Sequence, residues 1–155
     1  MLFSSCATQS EPPPARTKSD LSGVAINHFN WFKGKLYAAT DKGLYRKTKA
    51  DTLWTSLGLQ QKEVINVVFL PGEELLAAVR ITFFSGGPPS LFLSTNNGRS
   101  WKSYMNNYGG ETDVTWIGSI TATSKPSDTL FAHLGVNIAK SINSGESWAT
   151  MGGLQ

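Results

Sequence analysis

Residues 91–101 read Leu-Phe-Leu-Ser-Thr-Asn-Asn-Gly-Arg-Ser-Trp, and this stretch decides the fold. An apolar run leads into Ser94, and a polar turn at residues 96–98 separates that run from Trp101. Asn followed by Gly between two β-like runs is a strong hairpin signal, because both residues tolerate a positive φ. The stretch therefore predicts two antiparallel strands joined by a tight turn.

The same pattern is written again near the end of the sequence. Residues 138–148 read Ile-Ala-Lys-Ser-Ile-Asn-Ser-Gly-Glu-Ser-Trp, which places Trp148 47 residues after Trp101. Another 47 residues before Trp101 lies Trp54, although the turn ahead of it, at residues 49–51, lacks the Asn-x-Gly pattern. This period is typical of one blade of a β-propeller, so the sequence predicts a repeat protein whose first repeat is degenerate. The matched positions are Ser94 and Ser141, Asn96 and Asn143, Gly98 and Gly145, Ser100 and Ser147, and Trp101 and Trp148.

The repeats divide the chain into a short leader and three units. Residues 1–21 are polar and rich in proline, which predicts a disordered N-terminal tether that contains Arg16. The predicted blades span about residues 22–60, 61–107 and 108–155, each with four antiparallel strands. We therefore expect an all-β fold, a partial β-propeller of about three four-stranded blades.

One apolar run shows how the middle blade should pack. Residues 64–70 are almost continuously apolar and are followed by Pro71 and Gly72. Such a run, bounded by turn residues, predicts a strand that is buried on both faces.

Composition excludes several classes of function. Charged residues make up 16% of the chain and the net charge is only +3, with Lys and Arg scattered, so no nucleic-acid partner is expected. The single cysteine, Cys6, allows no disulfide within the chain, and no Cys or His cluster has metal-ligand spacing. His28 and His133 are each expected to be packed or surface residues. The sequence thus carries no sign of a cofactor or a metal.

The two hairpin segments resemble the Asp-box repeats of bacterial neuraminidases (BNR repeats), whose pattern is Ser-x-Asp-x-Gly-x-Thr-Trp. Here Asn96 and Asn143 stand at the Asp position, and Asn can form similar side-chain bonds to a turn backbone. The resemblance implies a β-propeller with the box between the third and fourth strands of a blade, and with Trp101 and Trp148 packed between blades. It also implies that the ten matched box positions are structural. Sialidases, endoglucanases, sortilin-like receptors and photosystem assembly factors share this type of propeller.

The first residues carry a second resemblance. Residues 2–6, Leu-Phe-Ser-Ser-Cys, are similar to the end of a bacterial lipoprotein signal peptide, in which the cysteine receives the lipid. Phe3 stands where an aliphatic residue is more usual. Cys6 is the lipidation candidate, and an incidental thiol is the alternative. The resemblance implies an exported protein, anchored in the cell envelope or secreted, whose membrane contact is a possible lipid on Cys6.

The repeat count raises the question of closure. Propellers close with about four to eight blades, so three predicted blades leave two apolar faces that need neighbours. We expect the chain to be a piece of a longer propeller. A gene remnant and closure by pairing with a second copy are the alternatives.

Two functions remain open at this stage. The first is a non-catalytic binding module for a protein or a glycan, with exposed aromatic candidates at Trp31, Phe84, Tyr108 and Trp116 on loops that include residues 30–33. Each of these aromatic residues could instead belong to a core or an inter-blade contact. The second is a fragment of a sialidase-like or endoglucanase-like glycoside hydrolase with its catalytic residues mostly outside this chain. Glycoside hydrolysis needs two facing carboxylates, and the Asp and Glu residues here fall mostly in predicted turns, so no catalytic residue is assigned.

Overall fold

The computed structural model describes residues 16–80, 90–104, 117–134 and 137–153, and their regular structure is almost entirely β. Within these residues the helical structure is limited to a 3-10 turn at Pro71–Glu73. The strands form three antiparallel sheets, as the three repeats predict. None of the described residues belongs to a helix long and apolar enough to cross a membrane.

The first sheet has five strands. Its order is β1-β5-β4-β3-β2, so β2 lies at one edge and β1 at the other. The strands are β1 (Lys18–Ser19), β2 (Ile26–Phe32), β3 (Lys35–Thr40), β4 (Gly43–Thr48) and β5 (Trp54–Ser56).

The second and third sheets have four strands each, arranged in chain order. The second contains β6 (Glu63–Phe69), β7 (Leu75–Arg80), β8 (Ser90–Ser94) and β9 (Lys102–Ser103). The third contains β10 (Ile117–Ala122), β11 (Leu130–Leu134), β12 (Asn137–Ser141) and β13 (Ala149–Gly153). Strand β6 contacts both β2 and β10, so these three inner strands line the side on which the sheets converge.

Strand β6 is buried on both faces, as its continuous apolar run predicts. Val64, Val67 and Phe69 belong to the core between the first and second sheets. Ile65 and Val68 belong to the core between the second and third sheets. Burial of each such side chain stabilises the fold by roughly 1.5–3 kcal/mol. Because β6 packs in both cores, this strand joins all three sheets.

The end of the predicted tether differs from the expectation. Lys18 and Ser19 pair antiparallel with β5, and Leu21 is buried against the outer face of the first sheet. The physical reason is that the free edge of β5 offers unpaired backbone groups, which a two-residue strand can bond without any apolar pattern of its own. Residues 1–15 of the predicted tether, including Cys6, lie outside the described residues.

Candidate functional site

A cleft of about 500 Å³ lies where the three inner strands meet. Strand β2 contributes Asn27, His28 and Asn30, and β6 contributes Asn66 together with its apolar neighbours. The third sheet supplies β10 and a turn residue, Lys125. All three sheets therefore build one concave surface.

Asparagine side chains hold the inner strands together along this cleft. Asn27 Nδ2 donates to the carbonyl of Val64 at 2.8 Å, and Asn66 Nδ2 donates to the carbonyl of Ile120 at 2.7 Å. Each amide thus bonds backbone of the next sheet, where an inner edge would otherwise leave carbonyls unpaired. The position of one inner strand relative to the next is fixed by these bonds.

Asn30 is the centre of this network and is buried. Its Nδ2 donates to Asn66 Oδ1 at 3.0 Å and to the carbonyl of Val67 at 2.7 Å. Its Oδ1 accepts a bond of 2.6 Å from Lys125 Nζ, which belongs to the turn after β10. A residue of the third sheet thereby bonds directly to the first sheet.

The groups left to meet a ligand in this cleft are polar. Ser119 and Thr121 present exposed hydroxyls on β10, and His28 and Lys125 are exposed on the other walls. The described residues that line the cleft include no Asp and no Glu. The arrangement can form hydrogen bonds to a polar ligand, with a positive charge at one end.

The described residues contain no group of three or more His, Cys, Asp or Glu side chains that could hold a metal ion.

Of the predicted aromatic candidates, Trp31 falls within the described residues, and it is not among the residues that line the cleft. Trp31 lies in strand β2, where a loop over residues 30–33 was expected, and its side chain is 56% exposed. The strand continues because Trp31 pairs with Leu36, which shortens the connection to Lys33 and Gly34, both with positive φ. Phe84, Tyr108 and Trp116 lie outside the described residues.

The hairpin at residues 94–101 is held by its own polar side chains. Ser94 Oγ accepts a bond of 2.8 Å from the Gly98 amide and donates one of 3.0 Å to Asn96 Oδ1. Asn96 Oδ1 also accepts the Ser100 amide at 2.9 Å, and Asn96 Nδ2 donates to Ser100 Oγ at 2.8 Å. The side chain of Asn96 thus stabilises the turn by bonding Ser94 and Ser100 on its two sides.

The hairpin at residues 141–148 has the same internal bonds. Ser141 Oγ accepts from the Gly145 amide at 2.9 Å and donates to Asn143 Oδ1 at 2.9 Å. Asn143 bonds the Ser147 amide and hydroxyl at 3.0 and 2.9 Å. The two hairpins join the third and fourth strands of the second and third sheets.

The two tryptophans of these hairpins sit at the sheet boundaries but bond differently. Trp101 Nε1 donates across the boundary to the carbonyl of Leu57 at 2.6 Å. Trp148 is 4% exposed in the core between the second and third sheets, and its Nε1 donates to the carbonyl of Gly145 at 3.1 Å. Both indoles pack toward the preceding sheet.

Sequence reasoning missed the asparagine network of the cleft. A signal was present at two positions, because Asn66 interrupts an otherwise apolar run and Asn27 falls inside a β-like segment, whereas Asn30 belongs to the predicted loop over residues 30–33. A polar amide inside such a run needs a hydrogen-bond partner, so it predicts a structural bond or a ligand. Lys125 carried no comparable signal.

Comparisons with known proteins were made by sequence and by structure. No family model matches the sequence, and no curated protein sequence matches it. Solved structures match the fold. An ancestral GH74 enzyme aligns with a TM-score of 0.60 and 21% identity over 86% of this chain and 18% of that one.

Two further structures extend this likeness. The GH74 xyloglucanase from Xanthomonas campestris aligns with a TM-score of 0.64 and 14% identity over 83% of this chain and 23% of that one. YCF48 bound to a D1 peptide aligns with a TM-score of 0.57 and 15% identity over 81% of this chain and 39% of that one. The chain therefore spans well under half the length of these proteins. All three are β-propellers, and the described residues of this chain form three blades of that fold.

Proposed function

We propose that this chain is a non-catalytic β-propeller module of an exported bacterial protein and that it binds a protein or glycan ligand in the inner-strand cleft. The observation that carries the proposal is the lining of the cleft. Hydroxyls, an imidazole and an ammonium group face it, and none of the described lining residues is a carboxylate. Such a surface can recognise a polar ligand through hydrogen bonds.

The described carboxylates support binding over hydrolysis because several of them are engaged elsewhere. Glu73 pairs with Lys33 at 2.6 Å, and Glu63 pairs with Arg80 at 3.1 Å. A glycosidase would need two carboxylates that face one bond of the substrate. The fragment of a glycoside hydrolase is therefore the alternative function.

The structural neighbours support the choice of ligand classes. One of them is described as bound to a peptide, and another as a xyloglucanase. Fold alone does not fix function. The proposal of binding rather than cleavage therefore depends on the polar cleft, whose described lining has no carboxylate. The ten matched hairpin positions, from Ser94 to Trp148, are proposed as structural residues, and the turn bonds described above support that role.

The partners proposed for the open faces are further blades or a second copy of the chain. On the first sheet, Phe29 and Trp31 are 48% and 56% exposed on the face turned away from the second sheet. On the third sheet, Met151 is 60% exposed. Sedimentation velocity of the purified chain tests this: a dimer mass supports self-pairing, whereas a monomer points to other blades as the partner.

The cleft can be tested with a conservative substitution. Thr121→Val removes one exposed hydroxyl and should weaken binding by about threefold to tenfold, the effect of one neutral hydrogen bond. Thr150→Val, on exposed β13, is the matched control. Xyloglucan oligosaccharides and a panel of short peptides are titrated by calorimetry. Equal effects of the two variants on a measured affinity would overturn the cleft as the site, and hydrolysis of xyloglucan by the purified chain would favour the alternative.

Export and lipidation are proposed together. Labelling of cells with an alkyne fatty acid should mark the chain when it is expressed with an upstream signal sequence, and Cys6→Ser should abolish the label. A label that survives this substitution would contradict the assignment of Cys6.

A further inference from the structure

Three arginines converge at the outer rim of the boundary between the first and second sheets. Arg16 Nη2 donates to the carbonyl of Asn97 at 2.8 Å, and Arg46 Nη1 donates to Asn97 Oδ1 at 2.9 Å. Arg99 lies two residues further along the same hairpin and is exposed. The pKa of Arg16 is lowered first by burial and then by the charges of Arg46 and Arg99, so both of these arginines lie within electrostatic range of Arg16.

No carboxylate among the described residues forms an ion pair with this cluster. The ion pairs of the described chain join Lys33 to Glu73, Lys42 to Asp41 and Arg80 to Glu63. Asp51 lies within electrostatic range of Arg46, but its Oδ2 accepts the amide and hydroxyl of Thr48 at 2.8 and 2.7 Å. The charges of Arg46 and Arg99 therefore act on Arg16, and no described carboxylate forms an ion pair with any of the three.

Hydrogen bonds hold two of the three arginines in place. The side chain of Arg46 donates to Asn97 Oδ1 and lies within electrostatic range of the buried Tyr37. Arg16 bonds backbone of the same hairpin residue. A guanidinium has five N–H donors in a planar fork, so each of these arginines keeps donors free after its bond to Asn97.

We infer that Arg16, Arg46 and Arg99 form a binding site for an oxyanion, a carboxylate, sulfate or phosphate group. Planar guanidinium forks match the two oxygens of such a group, and an anion would relieve the repulsion among the three charges. The site is formed by Arg16, which precedes β1, by Arg46 of β4, and by the hairpin after β8. It is therefore separate from the inner-strand cleft and does not rest on the function proposed for that cleft.

Arg99→Ala is the variant that separates binding from folding. The hydrogen bonds of Arg99 to Asn96 come from its backbone amide, so the truncated residue leaves the hairpin and both bonds to Asn97 intact. Arg80→Ala is the matched control, because it removes one guanidinium that pairs with Glu63 away from the cluster.

The experiment titrates the purified chain with sodium sulfate at constant ionic strength, set with sodium chloride, and follows arginine Nε–H and backbone amide signals by NMR. We expect saturable shifts at residues 97–99 and at the arginines. Arg99→Ala should weaken the affinity by about threefold to tenfold, since a partly solvated charged hydrogen bond is lost, while Arg80→Ala keeps it.

Further titrations identify the source of the oxyanion. Inorganic phosphate, acetate and a glutamate-containing tetrapeptide are compared with sulfate. Saturation by the inorganic ions alone assigns the site to a free anion, and tighter saturation by the peptide assigns it to an acidic side chain. Shifts that grow linearly with every salt, or an equal loss of affinity in Arg99→Ala and Arg80→Ala, would overturn the inference.

Discussion

The two hairpins at residues 94–101 and 141–148 share their internal hydrogen bonds but differ in their contacts with the rest of the molecule. Their four internal side-chain bonds agree to within about 0.1 Å in length. Their contacts with the rest of the molecule differ. In the first, Trp101 donates across the sheet boundary and Asn97 accepts bonds from two arginines. In the second, Trp148 bonds its own hairpin and is more deeply buried.

The difference teaches which part of the repeat carries which task. The positions shared by both copies form the turn, whereas the variable position, Asn97 in one and Ser144 in the other, meets the surroundings. Ser144 instead donates its backbone amide to the carbonyl of Asp128 at 2.8 Å. The repeated pattern thus encodes the turn and a tryptophan at the sheet boundary, and the variable residue adds contacts that differ between the two copies.

The largest expected effect is at the tryptophans. Trp148→Ala should destabilise by about 3–5 kcal/mol, because it empties a site that is 4% exposed. Trp101→Ala should cost less, roughly 2–3 kcal/mol, because its ring is only partly buried. Urea unfolding followed by circular dichroism measures both. If the purified Trp148→Ala variant is already unfolded, Trp148→Phe provides the smaller step. A greater loss in Trp101→Ala would reverse the comparison.

The next largest difference in stability is expected between alanine substitutions at the glycines of the two turns. At Gly98 an added methyl would lie 2.8 Å from Leu57 Cβ, whereas at Gly145 the nearest atom is the flexible tip of Leu76 at 3.2 Å. Both residues have positive φ. Gly98→Ala should therefore cost about 2–3 kcal/mol and Gly145→Ala about 1 kcal/mol, by the same unfolding measurement. Equal losses would mean that backbone strain alone, and not the approach of Leu57, decides the cost.

The variable position gives a smaller effect. Asn97→Ala removes the acceptor for Arg46 and places Ala at a φ of 59°, so we expect a loss of about 1 kcal/mol. Ser144→Ala, at a φ of 58°, loses no described side-chain bond and should stay within about 0.5 kcal/mol of the parent. A double-mutant cycle of Asn97→Ala with Arg46→Ala measures the pair. An interaction energy near zero would contradict the proposed cross-sheet bond.

The smallest effect is a pH dependence confined to the degenerate first repeat. There the Asp51 carboxylate accepts bonds from the Thr48 hydroxyl and amide, and these bonds lower its pKa. A lowered pKa stabilises the fold above the pKa of unfolded Asp, and this contribution is lost as the pH falls through the folded value. The Thr48 amide shift should titrate with a midpoint below the ordinary Asp range, while the Ser100 amide, bonded to an asparagine, shows no such step. A midpoint at the ordinary value would refute this reading of Asp51.

Much of the fold could be predicted from the sequence because the hairpins are local. The spacing of Trp54, Trp101 and Trp148 indicates three sheets without any knowledge of long-range contacts. Strand β1 could not be predicted this way. It has two residues and no apolar period, and it exists because β5 offers a free edge.

The candidate sites were harder to predict because they depend on distant parts of the chain. Arg16, Arg46 and Arg99 are 30 and 53 residues apart, and no pattern links them. Arg16 also falls in the predicted tether, where no fixed position was expected. Arg16 and Arg46 become neighbours in the folded chain because both bond Asn97 of the hairpin.

The bond between Lys125 and Asn30 has a consequence for how the molecule comes apart. In a stack whose units touch only their nearest neighbours, unfolding can begin at one end and proceed unit by unit. This bond ties the first unit directly to the third, across 95 residues of chain. Loosening the third sheet therefore removes a partner from a buried amide of the first. The three blades should therefore unfold more cooperatively than a simple linear array, because Asn30 of the first sheet loses its bond to Lys125 when the third sheet unfolds.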